Sequence, residues 1–253
     1  AAGLFDLVED VLKETVLSDN YLSMDESYYT VLTSDTNNSS GKSTAKGYIW
    51  AALANHLKLV HFFYENGSRS RKILTGYLRE DYRGAIQSDG LGNYKIIEKE
   101  AYPDAIRLSC FQHCKRKFLN ITGNKDAEKI VRIINRLYQN EHRIPPDWTA
   151  RQILDYRNKY APPILKELKE ELINIKKQKV DFTPKSELSK AINYTLNEYD
   201  ALCNYIRSAD YAPDNNAIER LMRYISLSRR NSLFCGSHQG AKRTALIYSL
   251  ACS

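Results

Sequence analysis

Apolar residues open the chain at helical spacing. Leu4, Leu7, Val8, Val11 and Leu12 share one face, which predicts a helix over 4–17. The pattern then changes to runs rich in β-branched and aromatic residues, and these predict strands over 21–33, 47–54 and 57–64. The polar link 34–41 between the first two predicts a mobile hairpin loop. A helix fits 69–79, a short strand over 85–88 delivers Asp89 at its end, and another strand covers 105–110. Three strands before a helix, then alternating strand and helix, predict an α/β fold with a mixed sheet flanked by helices.

The periodicity becomes purely helical after Lys117. Ile130, Ile133, Ile134 and Leu137 line one face of a helix over 126–139, and Leu165, Leu168, Leu172 and Ile175 line one over 163–178. A third helical pattern runs over 186–206, with Pro145-Pro146, Pro162-Pro163 and Pro184 expected to punctuate the three. Residues 120–205 are thus expected to form an all-helical insertion, with 1–119 and 206–253 on either side of it.

Composition bounds the class. The 253 residues suffice for one large domain or a domain with an insertion. Hydrophobic content of 43% and charged content of 26% are those of an ordinary globular protein. No stretch reaches the length of a membrane-spanning helix, and the start of the chain lacks the basic region of a signal peptide. Cys110, Cys114, Cys203, Cys235 and Cys252 are sparse and follow no disulfide-framework pattern, which fits a reducing, cytoplasmic setting.

The net charge of +7 is unevenly spread. Residues 1–35 hold eight acids and one base, Lys13. Beyond residue 206 stand Arg207, Arg220, Arg223, Arg229, Arg230, Lys242 and Arg243, against Asp210, Asp214 and Glu219. Lys115-Arg116-Lys117 is a second basic knot. Such clusters suit a polyanionic partner; the plain alternative is a solvated surface.

Asp25, Asp89 and Glu219 lie far apart in sequence, each where regular structure is expected to begin or end. Carboxylate oxygens are the natural ligands of Mg²⁺. Each acid also has an ordinary alternative. Asp25 adjoins Glu26, and strand alternation lets only one of them face a site. Asp89-Gly90 is a turn signal. Asn216 to Glu219 has the spacing of a capping box.

The residues around these acids resemble the catalytic region of the IS66-family transposases, insertion-sequence transposases of the DDE type. The matching stretches, in order, are Met24-Asp25-Glu26-Ser27, Gly47-Tyr48-Ile49-Trp50, Ser88-Asp89-Gly90-Leu91-Gly92-Asn93-Tyr94 and Cys110-Phe111-Gln112-His113-Cys114-Lys115-Arg116-Lys117-Phe118. The longest is Asp214-Asn215-Asn216-Ala217-Ile218-Glu219-Arg220, continuing through Arg229-Arg230-Asn231-Ser232-Leu233-Phe234-Cys235-Gly236-Ser237 to Tyr248-Ser249-Leu250. The resemblance covers roughly residues 20–250. Ser27 replaces the family's usual Thr, and Tyr224 its usual Pro. Members also carry an N-terminal DNA-binding region not seen here, so the chain is expected to be a fragment that begins near the catalytic domain.

The resemblance implies an RNase H-like fold, with the first Asp on the first strand, the second at or after the fourth, and the Glu on a later helix. It implies a bacterial, nucleoid-associated enzyme that cuts and joins DNA at transposon ends and targets. Asp25, Asp89 and Glu219 are then catalytic and hold two Mg²⁺ ions, with Mn²⁺ as a substitute. The ions activate the attacking oxygen and stabilise the leaving one. Asp25 is the expected bridge. Arg220, Arg223, Arg229, Arg230, Lys242, Lys115, Arg116 and Lys117 are the candidate DNA contacts. A homo-oligomer is the expected active form, with helper proteins of the same element as further partners. A non-catalytic DNA-binding module and a general nuclease of the same fold class are the rivals. Cys110 and His113 are expected to be a packed, hydrogen-bonded pair rather than half a zinc site. Trp50, Trp148 and the tyrosines are candidates for base stacking, though most are expected in core or rim.

Overall fold

The computed structural model describes residues 2–32, 43–67, 69–90, 92–95, 102–178 and 186–253. The hairpin loop expected over 34–41, Leu91 and Pro184 lie outside the described residues. The chain divides into two compact units, one made of 1–107 with 215–253 and the other of 108–214.

The first unit is a mixed α/β fold. Helix α1 (Ala2–Leu17) leads into β1 (Tyr21–Leu32), β2 (Thr44–Ala54) and β3 (Leu59–Glu65); α2 (Arg71–Tyr77), β4 (Ala85–Gln87) and β5 (Ile106–Leu108) follow. The five strands form one sheet in the order β3-β2-β1-β4-β5. β1 runs antiparallel to β2 and parallel to β4, and β2 runs antiparallel to β3. The unit closes with α8 (Asn216–Asn231) and α9 (His238–Cys252).

Side chains alternate across a strand, so β1 has two differently employed faces. Leu22 and Met24 pack with Trp50, Ala52 and Ala54 beneath α1 and α2. Tyr29 and Val31 pack with Ile49, Ala51 and Leu53 against Ile218, Met222 and Ile225 of α8 and Ala241 and Ala245 of α9. The edge strand β3 is covered by α9. The Phe62 N–H donates to Ser249 Oγ at 2.8 Å, and the Val60 N–H donates to Ser253 Oγ at 3.0 Å. Two serines four residues apart, Ser249 on the helix and Ser253 at its C-cap, thus occupy edge groups that would otherwise invite another strand.

In the second unit, every described element that follows Leu108 is helical. It holds α3 (Phe111–Leu119), α4 (Lys125–His142), α5 (Ala150–Gln178), α6 (Glu187–Asn197) and α7 (Tyr199–Cys203). The apolar stripes read from the sequence, Ile130, Ile133, Ile134, Leu137 and Leu165, Leu168, Leu172, Ile175, all enter one core. Asn124 caps α4 by accepting from the backbone N–H groups of Asp126 and Ala127, both at 3.0 Å. Buried Arg157 ties this unit together. Its guanidinium donates to Glu141 at 2.6 Å and to the carbonyls of Tyr205 at 3.3 Å and Ser208 at 2.6 Å.

Two expectations change here. Pro162 and Pro163 do not end a helix but lie inside the 29-residue α5. Both are exposed, so the carbonyls that their missing N–H groups leave unbonded face water, while Ala161, Ile164 and Leu165 stay packed. The pattern over 186–206 is not one helix. It is α6, α7 and a 3₁₀ turn over Asn204–Arg207, with a break at buried Glu198.

Candidate active site

Asp25 lies midway along β1, opposite Ala51 of β2. By strand alternation it shares the face of Tyr29 and Val31, which α8 covers. It is half-buried and accepts a hydrogen bond from the Glu26 N–H at 2.9 Å.

Asp89 follows β4, whose parallel register with β1 ends at Ser23 paired with Gln87. Carried two residues further, the same register would bring Asp89 level with Asp25, and the Asp89 charge does act on Asp25. Gln87 and Ser88 are fully buried, and the Gln87 side chain accepts a hydrogen bond from the Tyr21 hydroxyl. The turn that bears Asp89 is therefore anchored from below.

Glu219 sits in the first turn of α8. Ile218, Met222 and Ile225 press this helix onto the sheet. The residue before the helix supplies the closest tie. Asn215 is buried, and its Nδ2 donates to the Met24 carbonyl at 3.0 Å. That carbonyl lies just past the last β4 pairing. The start of α8 is thereby fastened to the residue preceding Asp25. The capping-box alternative does not fit the same geometry: Asn215 is the N-cap, Asn216 is already helical, and the Glu219 N–H donates to the Asn215 carbonyl at 3.2 Å. Glu219 thus stands one position beyond the N3 slot that a capping-box Glu needs.

The electrostatics show which charges act on Asp25. The Asp25 carboxyl is held well above the usual carboxylate range, first by burial, then by the negative charges of Glu26 and Asp89, with Glu219 adding to them. Glu26 points to the opposite face and is tied down there. Its Oε1 accepts from Arg69 Nε at 2.9 Å and from the other end of the same guanidinium, and its Oε2 accepts from Tyr94 Oη at 2.9 Å. Burial pushes Glu26 upward, Arg69 opposes this, and Asp89 adds to it. Tyr94 is fully buried, and burial together with Glu26, Asp25 and Asp89 keeps its hydroxyl protonated and donating. Sequence reasoning set Glu26 aside and did not single out Arg69, Tyr94 or the Asn215 tie. Tyr94 and Asn215 stand inside the matching stretches, but no local signal marks the roles of the three, because each acts through a partner distant in sequence.

The basic residues fall in different places. Arg220, Arg223 and Arg230 are exposed on α8, the helix of Glu219. Arg229 is partly buried there and donates to the Tyr28 carbonyl at 3.2 Å. Lys242 lines a cleft of about 550 Å³ with Glu9, His61 and Tyr77, at the β3 side of the sheet. Lys115, Arg116 and Lys117 lie on α3 of the second unit, where the Lys117 ammonium is 4.2 Å from the centre of the Tyr194 ring. Cys110 is the buried N-cap of α3 and His113 lies in its first turn. All five cysteines are thiols. Trp50 is fully buried and stacked on Phe63, so it is core and unavailable to a base.

The chain belongs to the Transposase IS66 family, whose model matches residues 1–243. Among curated proteins of Sinorhizobium fredii (strain NBRC 101917 / NGR234), it is 32% identical over 176 residues to Uncharacterized protein y4jD, covering 67% of this chain and 34% of that one. It is 25% identical over 202 residues to Uncharacterized protein y4hP, covering 73% and 35%. It is 27% identical over 226 residues to Uncharacterized protein y4qI, covering 83% and 41%. The chain thus spans between a third and two fifths of the length of these relatives. The family's model is named for the DDE transposases, which implies a divalent metal. Among the described residues, no helix is long and apolar enough to cross a membrane.

Proposed function

We propose that the chain carries the catalytic site of a DNA transposase, with Asp25, Asp89 and Glu219 as its metal-holding acids. Two observations carry this: the β1/β4 register and the Asn215–Met24 hydrogen bond at 3.0 Å fasten both other acid-bearing segments to the neighbourhood of Asp25. Asp25, whose proton affinity is raised in part by the charges of Asp89 and Glu219, forms with them an oxygen-only donor set, which fits Mg²⁺ or Mn²⁺. Bound there, such ions would supply Lewis-acid stabilisation of the attacking and leaving oxygens of an in-line phosphoryl displacement.

The chain's own groups do the rest. Asp25, on a strand paired on both sides near its start, is the rigid member and the proposed bridge. Asp89 and Glu219 complete the set from a buried-anchored turn and a packed helix. The exposed Arg220, Arg223 and Arg230 extend from that same helix and would meet phosphates; Arg229, Lys242 and the Lys115-Arg116-Lys117 knot are further proposed DNA contacts. An RNase H-like core interrupted by a helical segment is supported by the sheet order and by the two segments, 1–107 and 215–253, that share one unit. A homo-oligomer, helper proteins of the element and a nucleoid setting belong to the same proposal.

The test is Mg²⁺-dependent cleavage and strand transfer on insertion-sequence end DNA. Asp25→Ala and Glu219→Ala are expected to abolish both steps while still binding DNA. Full activity in either variant would sink the assignment. Failure of the unaltered chain to bind Mn²⁺, even with DNA present, would favour a non-catalytic DNA-binding module.

A further inference from the structure

One face of the β1–β2 hairpin carries a continuous alternation of cations and aromatic rings that ends at Glu26. Tyr28 and Tyr48 are directly paired across the two strands. By alternation their side chains share the face of Glu26. The Arg229 guanidinium lies 4.0 Å from the Tyr28 ring centre. The Lys46 ammonium lies 5.0 Å from Tyr28 and 5.8 Å from Tyr48. The Arg69 guanidinium lies 5.7 Å from Tyr48 and is bonded to Glu26. Tyr28 is 48% exposed, an unusual setting for a ring so closely attended. Lys46 is exposed as well. All of these groups belong to one compact unit.

The ordinary account is that cation–π pairs stiffen a long hairpin. Exposed pairs of this kind contribute little each, and stiffness does not call for leaving the Tyr28 ring, set between two cations, open to solvent. Alternating positive charge and aromatic surface is instead what a single nucleic-acid strand requires, since phosphates take the charge and bases stack on the rings.

We infer that this hairpin face binds a single-stranded stretch of DNA, with bases on exposed Tyr28 and half-buried Tyr48 and phosphates on Lys46. The inference rests on the transposase reading for the identity of its partner. In a strand-joining reaction, unpaired nucleotides flank the reacting phosphate, and a track on the face of β1 opposite Asp25 would hold those that lead away from it. Glu26 closes the track at its inner end by engaging Arg69, so that cation fixes the end of the path rather than competing for the metal-holding acids.

The test is fluorescence anisotropy of the 253-residue chain without divalent metal. The probes are a labelled single-stranded oligonucleotide, a blunt duplex and a duplex with a single-stranded overhang. Tyr28→Leu and Tyr48→Leu are expected to weaken single-strand and overhang binding by about fivefold to a hundredfold, the range one base–aromatic stack supports. Blunt-duplex binding is expected to change by less than about twofold. Tyr28→Phe keeps the stacking surface and is expected to retain single-strand affinity, which separates lost stacking from lost folding. Lys46→Gln is expected to reduce the salt slope of single-strand binding by about 0.7. Unchanged single-strand affinity in Tyr28→Leu, or an equal loss on blunt duplex, would overturn the inference. Because binding is read without metal, these outcomes are independent of whether Asp25→Ala abolishes cleavage.

Discussion

Asn215→Ala tests the arrangement of the site without touching an acid. Asn215 is 1% exposed, and its Nδ2 donates at 3.0 Å to the Met24 carbonyl, which lies one residue past the last β1–β4 pair. Alanine leaves that carbonyl buried without this donor, and an orphaned buried acceptor costs about 1–3 kcal/mol. Taking about 2 kcal/mol, the melting temperature should fall by roughly 4–8 °C for a chain of this size. The catalytic effect should be larger. Ile218, Met222 and Ile225 still hold α8 on the sheet, but its first turn loses the tie that sets Glu219 against Asp25. A displacement of about 1 Å at a reacting site costs on the order of a hundredfold in rate. The assays are thermal melting and single-turnover cleavage of end DNA at saturating Mg²⁺, with DNA affinity measured separately. The expected signature is a depressed cleavage rate with DNA affinity nearly unchanged. Asn215→Asp, which offers only acceptors to the Met24 carbonyl, should melt lower still. An Asn215→Ala variant that melts within about 1 °C of the parent and cleaves at its rate would refute the reasoning.

Other expected outcomes concern the acids and the sheet edge. Mg²⁺ or Mn²⁺ at about a hundred times its Kd should stabilise the fold by about 2.7 kcal/mol, read as a melting shift that Asp25→Asn removes. Without metal, Asp25 keeps its proton to higher pH in the folded chain than in the unfolded one. Its share of stability is thus fully present below the ordinary Asp pKa of about 3.9 and is lost as pH rises through the raised folded value. Urea midpoints measured across that window should fall in the parent and stay flatter in Asp25→Asn; parallel curves would contradict the cause given. Metal affinity should rise over the same window as the proton is displaced, a trend that titration calorimetry at several pH values would detect. Ser249→Ala should cost about 2–4 kcal/mol, because the Phe62 N–H and carbonyl at the β3 edge lose their hydroxyl partner. Ser253→Ala, at an exposed position, should cost less, and a reversed order in denaturant melts would count against the edge-covering role of α9.

Much of the fold is legible in the chain because it is set by local periodicity. The stripes on α4 and α5 name their core residues in advance, and the β1 alternation assigns Asp25 and Glu26 to opposite faces before any partner is known. Local reading fails where tertiary context outweighs propensity. Pro162-Pro163 should stop a helix, yet packing on one side and water on the other carry α5 through them. The Asn216–Glu219 spacing is that of a capping box, but the helix begins one residue early because the Asn215 amide is engaged with Met24.

The sequence by itself determined the family, the alternation of the strands, the helical faces and the identity of the three acids as candidates. Each of these depends on residues within one or two turns, or on short motifs kept in order. Only the tertiary structure decided that β4, which leads to Asp89, runs parallel beside β1, that Asn215 fastens the helix of Glu219 to β1, that Arg69 and Tyr94 hold Glu26 on its own face, and that Tyr28 and Tyr48 meet across a hairpin. These are pairings between residues far apart in sequence. They arise from strand register and the satisfaction of buried polar groups, and neither leaves a periodic trace along the chain.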